Sequence, residues 1–202
     1  MEETRPLRDR GELLRVLSRL LDQLGPSFTY RLVGTGAALA QGVRLPSGDI
    51  DILVLDRSDV DRFAAALTGY PCLDPPAWLP GARQYFTHYV LDEIKVGAST
   101  VEVPAEADTI ECIGPGPWQH YVEVPVGRHV VPAVALELRL VSELIRGRPD
   151  RWEPLIEHMR SHGADLSLVR RSMRDRGVDP QRQEEILGRL SAGRELGSAA
   201  DG

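Results

Sequence analysis

Lysine is almost missing from this chain: 23 of its 24 cationic side chains are arginine, and Lys95 is the single ammonium. So wholesale a bias reflects genome composition more than mechanism. Long apolar runs are missing too. Nothing approaches the roughly 18 consecutive apolar residues of a membrane span, and the opening Met1-Glu-Glu-Thr-Arg has no apolar stretch of export-signal type. The expectation is a cytoplasmic protein with no membrane role. Cysteine is scarce, and Cys72 and Cys112 lie far apart without metal-ligand spacing, as two reduced, partly buried thiols would. Positive charge is not in excess. A net charge of -6 excludes a broad duplex-binding face, although a local basic pocket is still allowed.

What is present suits an ordinary folded protein: 202 residues, 42% hydrophobic and 27% charged. Leucines at 13, 14, 17, 20, 21 and 24 recur at helical spacing, predicting a helix over 8–24 stopped by Gly25-Pro26. The spacing then predicts a strand over 28–33, a short helix over 37–42, a strand over 49–55 and a helix to about Leu67 capped by Ser58 or Asp59. Four prolines in 70–82 read as an irregular loop. Strands are expected over 84–91, 93–97 and 100–103, the last two joined tightly over Gly97-Ala98-Ser99, and a further pair over 119–124 and 128–131. Helices follow over about 133–146, 150–161, 165–176 and 180–190, with Gly147, Gly163 and Gly177 between them. The order of elements predicts an α+β domain over 1–132, a helical bundle over 133–192 and a frayed tail over 193–202.

The chemistry concentrates in Gly34-Thr35-Gly36 and Ser47-Gly48-Asp49-Ile50-Asp51. On a strand, the two-residue period sends Asp49 and Asp51 to one face and Ile50, Ile52 and Val54 to the other. Paired carboxylates repel unless a cation sits between them. Oxygen ligands with no histidine or cysteine nearby in sequence select Mg²⁺ or Mn²⁺ over zinc. Upstream, Gly34 and Gly36 allow close backbone approach to an anion, and the Thr35 hydroxyl adds a donor. Neither a Gly-x-x-x-x-Gly-Lys-Ser/Thr loop nor a complete Gly-x-Gly-x-x-Gly is present. Taken singly, the glycines are ordinary turn residues and the Asp-x-Asp an Asx turn.

Leu32-Val33-Gly34-Thr35-Gly36-Ala37, followed by Arg44, Ser47 and Asp49-Ile50-Asp51-Ile52, resembles the signature of the DNA polymerase β-like nucleotidyltransferase superfamily. The resemblance covers residues 28–55 well, with Gly-Thr-Gly in place of the usual Gly-Ser, and the next hundred only by order of elements. It implies a nucleotidyltransferase-like mixed sheet flanked by helices, followed by a helical bundle. It also implies Mg²⁺-dependent transfer of a nucleoside monophosphate from a nucleoside triphosphate to an acceptor hydroxyl. Asp49 and Asp51 would be the catalytic metal ligands. Gly34, Thr35, Gly36, Arg44, Ser47 and Lys95 would serve the nucleotide. Relatives act on small molecules, proteins or tRNA, some as toxins held by an antitoxin partner.

The family's third carboxylate is expected at Glu102, a lone acid between two valines. Equally, a hairpin pairing Val96 with Val101 would set Glu102 beside Lys95 as a cross-strand ion pair. Arg139, Glu143 and Arg146 share a helical face, with Glu137, Arg148 and Arg151 close in sequence; they form either a solvated salt-bridged surface or a grip on phosphate. Trp118, His120 and Tyr121 could stack on a base or simply pack. His158 and His162, four apart, lack the accompanying acid of a zinc site, and the remaining histidines are scattered. Two rival readings are a non-catalytic nucleotide-binding or regulatory module on the same fold, and a structural protein in which the motif is coincidence.

Overall fold

The computed structural model describes residues 4–103, 107–111 and 118–192. The predicted tail over 193–202 and Cys112 lie outside them. The chain divides into two compact units, residues 1–106 with 112–134, and residues 107–111 with 135–202.

The first unit begins with α1 (Arg10–Leu24), whose start is fixed by Asp9 accepting from the Glu12 backbone N–H at 2.8 Å. Leu13, Leu17 and Leu20 are fully buried, as their spacing requires. β1 (Tyr30–Val33) runs into α2 (Gly34–Ala40), and β2 (Asp49–Val54) returns antiparallel to β1, with Val33 opposite Asp51. Asp56, not Ser58 or Asp59, caps α3 (Arg57–Ala66), accepting from the Asp59 N–H.

The proline-rich stretch is not an irregular loop. It forms β3 (Cys72–Leu79), which occupies the sheet edge beside β4 (Gln84–Leu91). An edge strand tolerates prolines because one side needs no ladder donors, and the register shifts between Cys72 and Ala77 accommodate Pro75 and Pro76. Cys72 is exposed there rather than partly buried.

The hairpin expected over Gly97-Ala98-Ser99 does not form. The tight turn lies earlier, at Asp92 and Glu93 with φ of 53° and 65°, and β5 (Ile94–Ser99) runs straight through. β5 lies parallel to β2, and β4 antiparallel to β5. β6 (Tyr121–Val126) and β7 (His129–Val134) complete a mixed sheet of order β3-β4-β5-β2-β1-β7-β6.

On one face of this sheet Ile50, Ile52 and Val96 are fully buried. Phe63 of α3 reaches Tyr89, which pairs with Val96, at 6.3 Å between ring centroids. α1 packs against both α2 and α3, so the three helices cover the apolar face. The opposite face carries Asp49 and Asp51.

The second unit is a bundle of α4 (Leu136–Ile145), α5 (Pro149–His162), α6 (Leu166–Asp175) and α7 (Pro180–Ser191). Its core holds Leu140, Leu155, Val169, Met173 and Ile186. Asp165 and Asp179 cap α6 and α7, and Pro149 and Pro180 open their helices. Arg139 and Glu143 do not sit on a solvated surface. Both are buried, paired with each other, and Arg139 also donates to buried Glu111 at 2.5 Å. Arg146 and Arg148 approach Glu143 from outside, each at 3.7 Å.

Candidate functional site

β2 and β5 bring the site together by register. Asp49 lies opposite Lys95, and Asp51 opposite Gly97. The Lys95 ammonium meets Asp49 Oδ2 at 2.9 Å, with both side chains about a third exposed or less (33% and 27%). Burial alone lowers the pKa of Lys95. Its hydrogen bond to Asp49 and the charges of Asp49, Asp51 and Asp74 outweigh that and raise it, so Lys95 is held as the cation of a carboxylate-rich face. A solitary lysine thus sits beside the Asp-x-Asp pair, but its partner is Asp49 rather than Glu102.

The glycine turn completes the same face. Gly34 has φ of +68°, and a Cβ there would stand 3.5 Å from Asp51 Oδ2. Glycine therefore serves twice, by accepting left-handed backbone and by keeping a methyl off the Asp51 carboxylate. Gly36 packs α2 directly on β2, since its Cβ would meet the Asp49 carbonyl oxygen at 3.4 Å. Thr35 Oγ1 and Ser47 Oγ lie 3.0 Å apart, and Ser47 Oγ donates to the Asp49 carbonyl at 3.1 Å. Ser47 is buried and its backbone bridges to Leu7, so it braces the start of β2 from inside. Arg44 is exposed and opens onto a cavity of about 590 Å³ that Arg8 and Arg10 also line and that Asp49 and Asp51 do not.

Glu102 is not brought to this site. Asp51 faces Gly97, and Glu102 lies five residues further along an extended chain that continues beside β4 through Thr100 N–H to Tyr85 and Glu102 N–H to Arg83. At about 3.3 Å per residue that is roughly 16 Å. Arg57 grips the Glu102 carboxylate there at 2.7 and 2.9 Å, and Arg57 first, with Thr100 behind it, holds its pKa below the ordinary range. Nor does Glu102 fold back beside Lys95, because β5 runs on through Gly97 to Ser99 instead of turning there.

Asp74 and His88 enter the face without having been singled out. β3 pairs Asp74 with His88, and β5 pairs Gly97 with His88, so one cross-strand row runs Asp51, Gly97, His88, Asp74. The Asp74 carboxylate meets His88 Nδ1 at 2.8 Å. In the sequence His88 was one of several scattered histidines, and only strand register makes it a neighbour of Asp51. Trp118 packs under Arg31, whose guanidinium lies 5.2 Å from the ring centroid, while Tyr121 stays exposed.

No family model matches this sequence, and no curated protein matches it. Solved structures do. A Thermotoga maritima protein provisionally named a nucleotidyltransferase superposes with a TM-score of 0.54 at 21% identity, covering 76% of this chain and 96% of its own. The fold is nucleotidyltransferase-like. Two Helicobacter pylori structures, one provisionally named a nucleotidyltransferase, align more loosely, each with a TM-score of 0.47 at 14% identity over 93% of this chain and at least 90% of their own. No helix among the described residues is long and apolar enough to cross a membrane.

Among the described residues no three His, Cys, Asp or Glu side chains already form a cage for a metal ion. A nucleotidyltransferase-like site does not demand one, because Mg²⁺ is commonly held by one or two carboxylates with substrate phosphates and water supplying the rest. Two partly exposed carboxylates beside a glycine fit that arrangement.

Proposed function

We propose that the protein is a Mg²⁺-dependent nucleotidyltransferase that moves a nucleoside monophosphate from a nucleoside triphosphate to an acceptor hydroxyl. The observation that carries this reading is the convergence of Asp49, Asp51, Lys95 and the glycine turn at Gly34 on one face of a nucleotidyltransferase-like sheet. Asp49 and Asp51 would hold the cation. When bound, the cation supplies neutralisation of the triphosphate and polarisation of its oxygens. Gly34-Thr35-Gly36 would lie against the triphosphate. Lys95 would exchange its contact with Asp49 for one with a phosphate oxygen, which keeps its positive charge paired throughout. The acceptor oxygen forms a bond to the α-phosphorus as the bond to the β-phosphate oxygen breaks; pyrophosphate leaves with the electron pair and the hydroxyl proton passes to water. The chain's part in this is positioning and charge compensation.

Titration of Mg²⁺ with a non-hydrolysable triphosphate, followed by thermal stability, tests the site. The wild type should be stabilised and Asp49→Asn/Asp51→Asn should not; equal responses would sink the reading. Labelled triphosphates offered with separated small-molecule, protein and tRNA fractions would then identify the acceptor class, and co-purification would reveal an antitoxin partner. One observation favours a second reading, a binding module without catalysis: Lys95 already compensates Asp49. Stabilisation by the triphosphate with no labelled product in any fraction would select it.

A further inference from the structure

We propose that the cavity of about 590 Å³ onto which Arg44 opens is a second binding site, for a small organic anion that carries a carboxylate or phosphate on an apolar body. It stands apart from the proposed function, since neither Asp49 nor Asp51 lines it. Its volume falls within the roughly 300–1,000 Å³ of small-molecule pockets. Its walls come from two stretches of the first unit, around residues 7–10 and 39–46, and these are pinned to their surroundings without any ligand. Arg10 Nε donates to the Ala40 carbonyl at 2.8 Å, and the Leu7 N–H to the Ser47 carbonyl at 2.9 Å. Gly42, at φ of +96°, closes α2; its N–H donates to the Leu39 carbonyl and that of Val43 to the Ala38 carbonyl, each at 3.0 Å. Fixed walls reduce the ordering that binding costs.

The lining pairs an apolar interior with unbalanced positive charge. Leu7, Leu39, Val43 and Leu45 all line the cavity and are buried. Arg8, Arg10 and Arg44, all exposed, line it against a single carboxylate, Asp9. Asp9 is engaged in capping α1. Glu12 stands 4.0 Å from Arg8 Nε, but Arg5 already grips its two oxygens at 2.7 and 3.0 Å. Arg44, which the resemblance assigned to the nucleotide, makes no hydrogen bond or ion pair among the described residues. In a chain of net charge -6, three guanidiniums gathered round an apolar hollow concentrate anions locally. Their planar forks match carboxylate and phosphate oxygens. The apolar lining favours an anion with a hydrocarbon or aromatic body over bare phosphate.

Naphthyl phosphate and naphthoate are the probes, titrated calorimetrically into the full chain without Mg²⁺, beside inorganic phosphate and neutral naphthylmethanol. One of the two acids should bind at least about tenfold more tightly than either control, and the better of them identifies the head group. Arg44→Gln and Arg8→Gln, both exposed changes, should each weaken that binding about tenfold. Asp49→Asn/Asp51→Asn should leave it unchanged. Equal affinity for naphthylmethanol would reduce the cavity to an apolar hollow, and full affinity in both arginine variants would place the probe elsewhere. Either result overturns the proposal, as does no binding at all. Displacement of the probe by Mg²⁺ with a non-hydrolysable triphosphate would merge the cavity with the nucleotide site and overturn the claim of a second one.

Discussion

Gly34→Ala separates what the site needs from what the backbone needs. At φ of +68° a side chain incurs the left-handed penalty of about 1–2 kcal/mol. The added methyl meets Asp51 Oδ2 at 3.5 Å, ordinary contact distance, so there is no clash to add to that cost. Gly177 provides the control, with φ of +66° and nothing within 4 Å of its Cβ position. Both variants should therefore lose about 1–2 kcal/mol, a fall of about 2–8 °C in melting temperature. They should differ in what happens next. In Gly34→Ala the methyl lies against the Asp51 carboxylate, and the stabilisation by Mg²⁺ and a non-hydrolysable triphosphate should shrink or vanish. In Gly177→Ala that stabilisation should match the wild type. Differential scanning fluorimetry across a ligand titration measures both quantities. A full ligand response in Gly34→Ala would refute the claim that Gly34 is kept small for the sake of the Asp51 carboxylate.

Glu102→Gln removes only a solvent-screened ion pair and should leave the melting temperature nearly unchanged, with the full metal–triphosphate response kept; loss of that response would restore Glu102 to the site. Arg139→Met should cost about 3–5 kcal/mol in chemical denaturation, because it leaves Glu111 and Glu143 buried without their shared cation; a cost below about 1 kcal/mol would show that the pair is not charged in the fold. Glu12 gives the pH prediction. The Arg5 guanidinium, then the Arg8 backbone N–H, lower its pKa to about 2 from 4.5. A depressed carboxylate stabilises fully above its unfolded value, so the contribution should be present above about pH 4.5 and fade as pH falls toward 2. Glu12→Gln should be less stable than the wild type at pH 7 by about 1.5–3 kcal/mol, with the gap closing in acid; a gap independent of pH would exclude the ion pair as its cause.

The elements written by period and punctuation were legible in the sequence. Leucines at three- and four-residue spacing announced α1, and alternation put Asp49 and Asp51 on one face of β2 opposite buried Ile50 and Ile52. Both are local properties, fixed by 3.6- and 2-residue repeats whatever lies around them. β3 was hidden because its prolines suit an edge position, and a strand's place in a sheet is not a local property. The Arg139–Glu143 pair shows the same limit: spacing put the two on one helical face, but only packing decided that the face is buried.

The place of the single lysine is fixed by register. Sequence alone determined that one ammonium lay in the chain and that two carboxylates shared a strand face behind a glycine turn. Tertiary structure decided that Lys95 meets Asp49, that Glu102 goes to Arg57 instead, and that Gly97 admits His88 beside Asp51. The physical reason is that a pair of strands can slide or turn by one residue and exchange every cross-strand neighbour, and nothing within either strand records which neighbour it will meet.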